Sequence, residues 1–385
     1  MSLNIWARAF YKLCDNISVG SLQVTDPYGQ TRSFGQGAPS AAIEIHNWAM
    51  ISAILKRGDI GLGESYTEGL WDSPNIENLI LLALKNDTQT HAIERGSLLQ
   101  RMAFLLKDRV LRRNNRKGSK KNISAHYDVG NDFYALWLDE SMTYSSALFT
   151  NPAESLEAGQ ANKYDRLIEK IDNGGDRVLE IGCGWGGFAE RAASKGLEVT
   201  GITVSDAQRK FASQRLGDKA KINLTDYRDV KGKFDAIVSI EMIEAVGERY
   251  WPSYFQTLKS RLGAGGKIAL QAIIVEDQYF DRYKGQSDYI RQYTFPGGML
   301  ITPGHIESLA KDVGLEAKNM HRFGLDYART LREWLGRMRA NEHKIHALGY
   351  DDAFLRSWHF YLQLCAASFT NNVRTNVVQV ELRHK

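Results

Sequence analysis

Apolar positions along this chain repeat with two different rhythms, and the chain divides where the rhythm changes. From residue 177 onward, short apolar runs alternate with amphipathic stretches, and this pattern predicts strands at 177–181, 198–204, 221–225, 234–240 and 267–274 with helices between them. Strand and helix in alternation predict an α/β architecture: a doubly wound, mostly parallel, Rossmann-like sheet. Residues 1–100 lack that rhythm. Helical patterns at 41–57 and 76–85 lie among short apolar stretches and turn signals such as Asp26-Pro27 and Tyr28-Gly29, which predicts a smaller α+β domain. Between those patterns, GDIGLGESYTEGLWD (58–72) is dense in glycine, aromatics and acids, and reads as a packed loop or a surface for a partner.

Composition agrees with two domains. The chain has 385 residues, 43% of them hydrophobic, whereas a single core stops growing at roughly 250–300 residues. No apolar run reaches the roughly 18 residues that span a bilayer, and the first residues lack a signal-peptide core, so a cytoplasmic protein is expected. Cys14, Cys183 and Cys365 are far apart and odd in number, which suggests neither a disulfide framework nor a metal site. The net charge of +4 is unevenly placed: residues 107–121, KDRVLRRNNRKGSKK, carry eight basic side chains against Asp108 alone. This run sits in a basic linker at 101–122, ahead of a second domain at 123–385. It is either a solvated connection or a surface for anionic phospholipid headgroups, each basic residue adding roughly 1 kcal/mol near such a surface. Nucleic acid is the weaker partner, because no aromatics interleave the charges.

Candidate chemistry concentrates at 178–188, VLEIGCGWGGF, where an apolar strand runs into a glycine turn that opens a helix. Gly182, Gly184 and Gly187 satisfy G-x-G-x-x-G, the spacing of a dinucleotide turn. Glu180 argues for a different ligand, since a carboxylate inside a strand is costly without a partner and suits a cation better than a pyrophosphate. The next strand ends in Thr203 and Ser205, with Gln208 one turn on, where a dehydrogenase usually places an acid. Ser205 also reads as a plain helix cap. Ligands of such sheets bind beyond the carboxyl ends of the strands, so Gly182, Thr203, Asp226, Glu241, Glu244 and Gln271 are expected to converge. Glu241, three residues before Glu244, reads either as a second functional carboxylate or as a helix-start acid sharing one helical face with it, and it stays outside the catalytic set.

The glycine turn with Glu180 resembles the first motif of S-adenosylmethionine-dependent methyltransferases. Further stretches sharpen the likeness: AHYDVGNDFYALWLDESMTYSSALF (125–149), YRDV (227–230), VSIEMIEAVG (238–247), YTFPGGMLIT (293–302) and FGLDYARTLREW (323–334). In this order they resemble the cyclopropane fatty acid synthase family, including the mycolic acid cyclopropane synthases, and 58–72 is similar to the N-terminal domain of its two-domain bacterial members. The resemblance implies that Tyr144, Ser145, Glu180, Gly182, Gly184, Thr203, Ser205, Gln208, Tyr227 and Arg228 surround S-adenosylmethionine. It implies an unsaturated phospholipid acyl chain as substrate, a bicarbonate ion as general base, a peripheral place at the inner membrane surface, and a homodimer. It further implies catalytic roles for Glu244, Tyr327, Gln271 and Ser146 around the base, while Tyr144, Tyr293 and Tyr327 offer aromatic faces to a carbocation.

Two of these positions depart from the family pattern. Ser146 stands where cysteine is usual, and Gln271 where histidine is usual; Ala245 likewise replaces a histidine. An amide donates and accepts hydrogen bonds but does not serve as acid or base near neutral pH. The chain cation therefore has two fates: loss of a proton from the new methyl closes a cyclopropane, and loss from the chain leaves a methyl branch. A lipid-binding protein without catalysis is the reading from another class. Trp358, Tyr361, Leu362, Cys365 and Phe369 keep helical spacing, which core packing explains as well as an acyl tunnel does.

Overall fold

The computed structural model describes residues 5–86 and 129–385, so the basic segment 107–121 and the linker at 101–122 lie outside the described residues. The N-terminal unit runs α1 (Ile5–Cys14), β1 (Gly20–Thr25), β2 (Thr31–Gln36), β3 (Ser40–Ile45), α2 (Ala49–Arg57), α3 (Asp59–Thr67), β4 (Trp71–Asp72) and α4 (Ile76–Lys85), with a sheet of order β2-β1-β3-β4. It is α+β, as expected, with two corrections. The stretch read as one helix at 41–57 begins as β3, whose Ala41, Ile43 and Ile45 are buried at every second position. The glycine-dense stretch is not a loop along most of its length: residues 59–67 form helix α3 and 71–72 form β4. Its glycines permit close packing: a Cβ on Gly61 would fall 2.1 Å from the Ala53 carbonyl oxygen, and one on Gly63 2.4 Å from the Tyr289 ring.

The second unit is built on seven strands: β5 (Arg177–Ile181), β6 (Glu198–Thr203), β7 (Ala220–Leu224), β8 (Phe234–Ile240), β9 (Leu262–Val275), β10 (Leu315–Arg322) and β11 (Thr375–His384). Their order is β10-β11-β9-β8-β5-β6-β7, parallel throughout except for β11, which runs antiparallel between β9 and β10. The five strands expected from the pattern are present; β10 and β11 were not foreseen. Helices α5 (Leu156–Ile171), α6 (Gly187–Ser194) and α7 (Asp206–Leu216) cross between the parallel strands or precede them, and α8 (Gly324–Ala340) and α9 (Asp352–Asn371) pack against each other. Strand order reverses between β5 and β8, the switch point where such sheets bind ligands.

One of the hydrophobic clusters spans both units, while the sheet of the second unit is packed by clusters of its own. Helix α9 packs on α3 and α4 of the N-terminal unit, and polar bonds stitch the seam. The Ile76 N–H donates to Gln363 at 3.0 Å, the Arg356 guanidinium donates to the Tyr66 and Trp71 carbonyls, and Arg332 pairs with the nearly buried Glu77. No helix among the described residues is long and apolar enough to cross a membrane.

Candidate active site

A cavity of about 960 Å³ opens at the carboxyl ends of β5, β6 and β8, near the upper limit of roughly 1,000 Å³ for small-molecule pockets. One end of it is made of backbone. After β5 the chain turns through Gly182 (φ 82°), Gly184 (φ 52°) and Gly186 (φ 89°), left-handed conformations that a side chain resists, and α6 then begins with its N–H groups facing the turn. Glu180, Gly182, Gly184, Thr203, Gln208, Tyr227 and Arg228 all line this end, with Tyr144 and Ser145. Glu180 is buried and its Oε2 has no hydrogen-bond partner. Burial pushes its carboxyl well up, opposed by the Lys163 ammonium. Such an orphaned acceptor fits a ligand bearing a cation and hydroxyls, and S-adenosylmethionine offers both.

Neighbouring groups are less free than the sequence suggests. The Thr203 hydroxyl donates to Gln208 Oε1 at 2.9 Å, and Ser205, which does not line the cavity, accepts from the Gln208 N–H as the cap of α7. Arg228 forms a two-point pair with Asp226 at 2.7 and 2.6 Å. Ser145 accepts from Lys163 Nζ at 2.7 Å, and burial brings that ammonium down to about 7 against the pull of Glu241, Asp139 and Glu180.

The other end is made of side chains from distant elements, and they meet on a residue that sequence reasoning set aside. Glu241 directly follows β8 in a left-handed conformation, φ 49°, so it opens no helix and shares no helical face with Glu244, which lies in a short turn at Ile243–Ala245. Its Oε1 accepts from the Ser146 N–H at 2.9 Å and from Gln271 Nε2 at 2.8 Å; its Oε2 accepts from the Tyr327 hydroxyl at 2.7 Å. Behind them Gln379 donates to Gln271 Oε1 at 3.0 Å, which fixes the Gln271 amide so that its NH₂ faces Glu241. Ser146 and Gln271 stand behind the cavity wall, whereas Glu241, Glu244 and Tyr327 line it. Glu244 accepts from the Ile273 N–H, and its other oxygen has no partner.

Burial raises both carboxyls. Lys163 and the three donors oppose this at Glu241, while the Glu241 charge pushes Glu244 further, to about 8. Three donors and Lys163 thus favour the charged form at Glu241, whereas Glu244, with one backbone donor and the Glu241 charge beside it, is pushed towards its neutral form. Aromatic rings wall this end. Tyr144 packs on Trp334 and Phe295, and Tyr327 stacks on Phe369 with centroids 4.5 Å apart. From α9, Tyr361, Cys365 and Phe369 line the cavity, while Trp358 and Leu362 pack in the core, so that helix serves both readings of its pattern. Tyr293 is absent from the wall; it is 48% exposed and donates to Glu64.

The signal that pointed to Glu241 was positional. It follows β8 as Gly182 follows β5, and these two strands are parallel neighbours at the switch point. The donors expected around a bicarbonate ion, namely the backbone at Ser146, the residue at 271 and Tyr327, are all spent on Glu241. The residues present do not fit a separate bicarbonate.

Sheet order, glycine turn and orphaned acid together define an S-adenosylmethionine-dependent methyltransferase. Residues 114–380 match the family model described as mycolic acid cyclopropane synthetase, and the chain belongs to that family of methyltransferases acting on lipids. It is 36% identical over 346 residues to the tuberculostearic acid methyltransferase UfaA1 of Mycobacterium tuberculosis, covering 86% of this chain and 80% of that one. It is 33% identical over 344 residues to the cyclopropane-fatty-acyl-phospholipid synthase of Escherichia coli, covering 86% and 85%. Among solved structures, the mycolic acid cyclopropane synthase CmaA1 complexed with SAH and CTAB superposes with a TM-score of 0.63 at 27% identity, covering 68% of this chain and 97% of that one.

Proposed function

We propose that this protein methylates a double-bond carbon of an unsaturated phospholipid acyl chain and that Glu241 is the base, leaving a branched chain rather than a ring. Glu180, Thr203, Gln208 and Tyr227 would hold S-adenosylmethionine at the glycine turn, where its sulfonium would offer an electrophilic methyl group. The alkene π electrons would form the new C–C bond as the donor's methyl–sulfur bond breaks and S-adenosylhomocysteine leaves; the cation develops on the neighbouring carbon, and a proton from an adjacent chain carbon passes to the Glu241 carboxylate, its C–H electrons restoring a double bond in a methyl-branched chain. The aromatic walls stabilise the cation with their ring faces and exclude water that would trap it. The Gln271 and Tyr327 donors and the Ser146 N–H hold the carboxylate in place, and the buried Lys163 favours its charged form.

The observation that carries this reading is the convergence of three donors on buried Glu241 beside the aromatic walls. The base is thus part of the chain, unlike the free ion that the resemblance implied. The branched product is favoured by the departures at Gln271 and Ala245 from the cyclopropane synthase pattern and by the likeness to a tuberculostearic acid methyltransferase. Ring closure is the second reading, favoured by the likeness to the E. coli synthase over the same share of this chain.

Incubation with unsaturated phospholipids and methyl-deuterated S-adenosylmethionine, followed by mass spectrometry and NMR of the released fatty acids, separates the two. A branch methyl that keeps all three deuteriums is the expected result; two deuteriums confined to a three-membered ring would overturn the branched product. Stripping bicarbonate from the buffer is expected to leave the rate unchanged.

A further inference from the structure

The cavity does not end at the aromatic walls around Glu241. It crosses the seam between the two units, where Asp59, Asp288 and Arg291 line it, and continues among Leu13, Ile17, Leu22, Ile43, Ile54 and Leu62 of the N-terminal unit. The polar groups at the seam are engaged with one another: Tyr289 N–H donates to Asp59 at 3.1 Å, and Arg291 pairs with Asp288 at 2.6 Å. Beyond it, among the described residues, no charged side chain of the N-terminal unit lines the cavity except Arg57 and Asp59 at the seam itself. The Asn86 amide, also in the wall, is engaged by the backbone of Ser18, Val19 and Leu82. A headgroup finds nothing to bind in such a chamber, whereas a hydrocarbon does.

We propose that the N-terminal chamber seats the hydrocarbon end of the substrate's acyl chain, so that this domain selects chain length and the position of the double bond. The inference rests on the proposed acyl-chain chemistry and adds to it where the far end of the chain lies. Its warrant is continuity: the aliphatic chamber and the pocket holding Glu241 and Tyr327 are one cavity, and a chain that presents its double bond to Glu241 must place its remaining carbons along that cavity. Each methylene that finds an apolar seat strengthens binding about fourfold, and each one denied a seat loses as much. The depth of the chamber, measured from Glu241, then decides which carbons come into register with the base.

The test fills and empties the chamber without touching the cofactor turn or the base. Ile54→Trp and Leu62→Trp shorten it; Ile54→Ala and Leu62→Ala lengthen it. Each enzyme receives vesicles holding monounsaturated phospholipids of short, medium and long chain in equal amounts, with labelled S-adenosylmethionine, and the product distribution is read within each reaction. The tryptophan variants are expected to shift product towards short chains by about fourfold or more, and the alanine variants towards long ones. Because ratios are read, partial loss of folded protein does not blur the result, and the alanine pair carries the test alone should the tryptophan pair fail to fold. Unchanged distributions in active alanine variants would overturn the chamber assignment. Absence of label from every acyl chain with the unaltered protein would instead overturn the proposed reaction.

Discussion

The two ends of the reaction cavity are built on different principles. The cofactor end is a continuous run of chain, in which positive-φ glycines and a helix N-terminus make the site and side chains refine it. The base end gathers Ser146, Glu241, Gln271, Tyr327 and Gln379 from two loops, two strands and a helix, separated by up to nearly the length of the whole domain. A backbone-made site tolerates change in most side chains but none at its glycines. A side-chain site has the opposite sensitivity, because each donor is fixed by the next.

The contrast breaks most sharply at its centre. Glu241→Gln removes the base while keeping shape and most hydrogen bonds, and turnover should fall about 10²–10⁴-fold, the usual range for a lost general base. Cofactor affinity, read by calorimetry, should change little; equal loss of affinity would mean that the two ends are not separate. At the other end, Gly182→Val imposes a side chain on a φ of 82° and brings its Cβ to 3.3 Å from Met242 Sδ. A strain of about 1–3 kcal/mol predicts cofactor affinity weakened roughly 5- to 150-fold, while kcat at saturating cofactor falls less.

A pH titration sharpens the comparison. The folded protein raises the Glu244 carboxyl from 4.5 to about 8. Between those values the folded state keeps a proton that the unfolded chain has lost, so stability is full below 4.5 and declines as pH rises towards 8. In Glu244→Gln, roughly 1–3 kcal/mol of that decline should vanish in denaturant titrations at pH 5 and pH 8; parallel slopes for the two proteins would place the proton elsewhere. The smallest effect is expected from Gln379→Leu, which never meets substrate. Releasing the Gln271 amide to rotate should lower kcat about tenfold and leave cofactor affinity as it is.

Legibility in the sequence follows the same division. Five parallel strands and the glycine turn could be read because their causes are local: apolar runs of strand length, and glycine where the backbone must turn left-handed. Strand β10 and the antiparallel β11 are not legible because their partners lie far away in sequence, and β11, buried on most of its residues, shows little alternation. Ala41, Ile43 and Ile45 were absorbed into the following helix because an alternating strand and a helical face coincide over a few residues. Glu244 was legible as a site residue from its motif, yet the motif does not reveal which of two carboxylates three residues apart receives the donors. The left-handed conformation at Glu241, unusual for anything but glycine, asparagine or aspartate, decides it, and only the assembled sheet imposes that conformation.

The position of β11 gives the protein a schedule. A nascent chain that has cleared β9 already contains the whole glycine turn and every parallel strand around it, with neighbours in place as they emerge. The base pocket waits for α8 to bring Tyr327 and for β11 to insert between β9 and β10 and bring Gln379. Such distant pairings form late, because closing a long loop precedes any gain from the contact. During synthesis the molecule therefore acquires the architecture to hold a methyl donor before it acquires the means to finish a reaction with it.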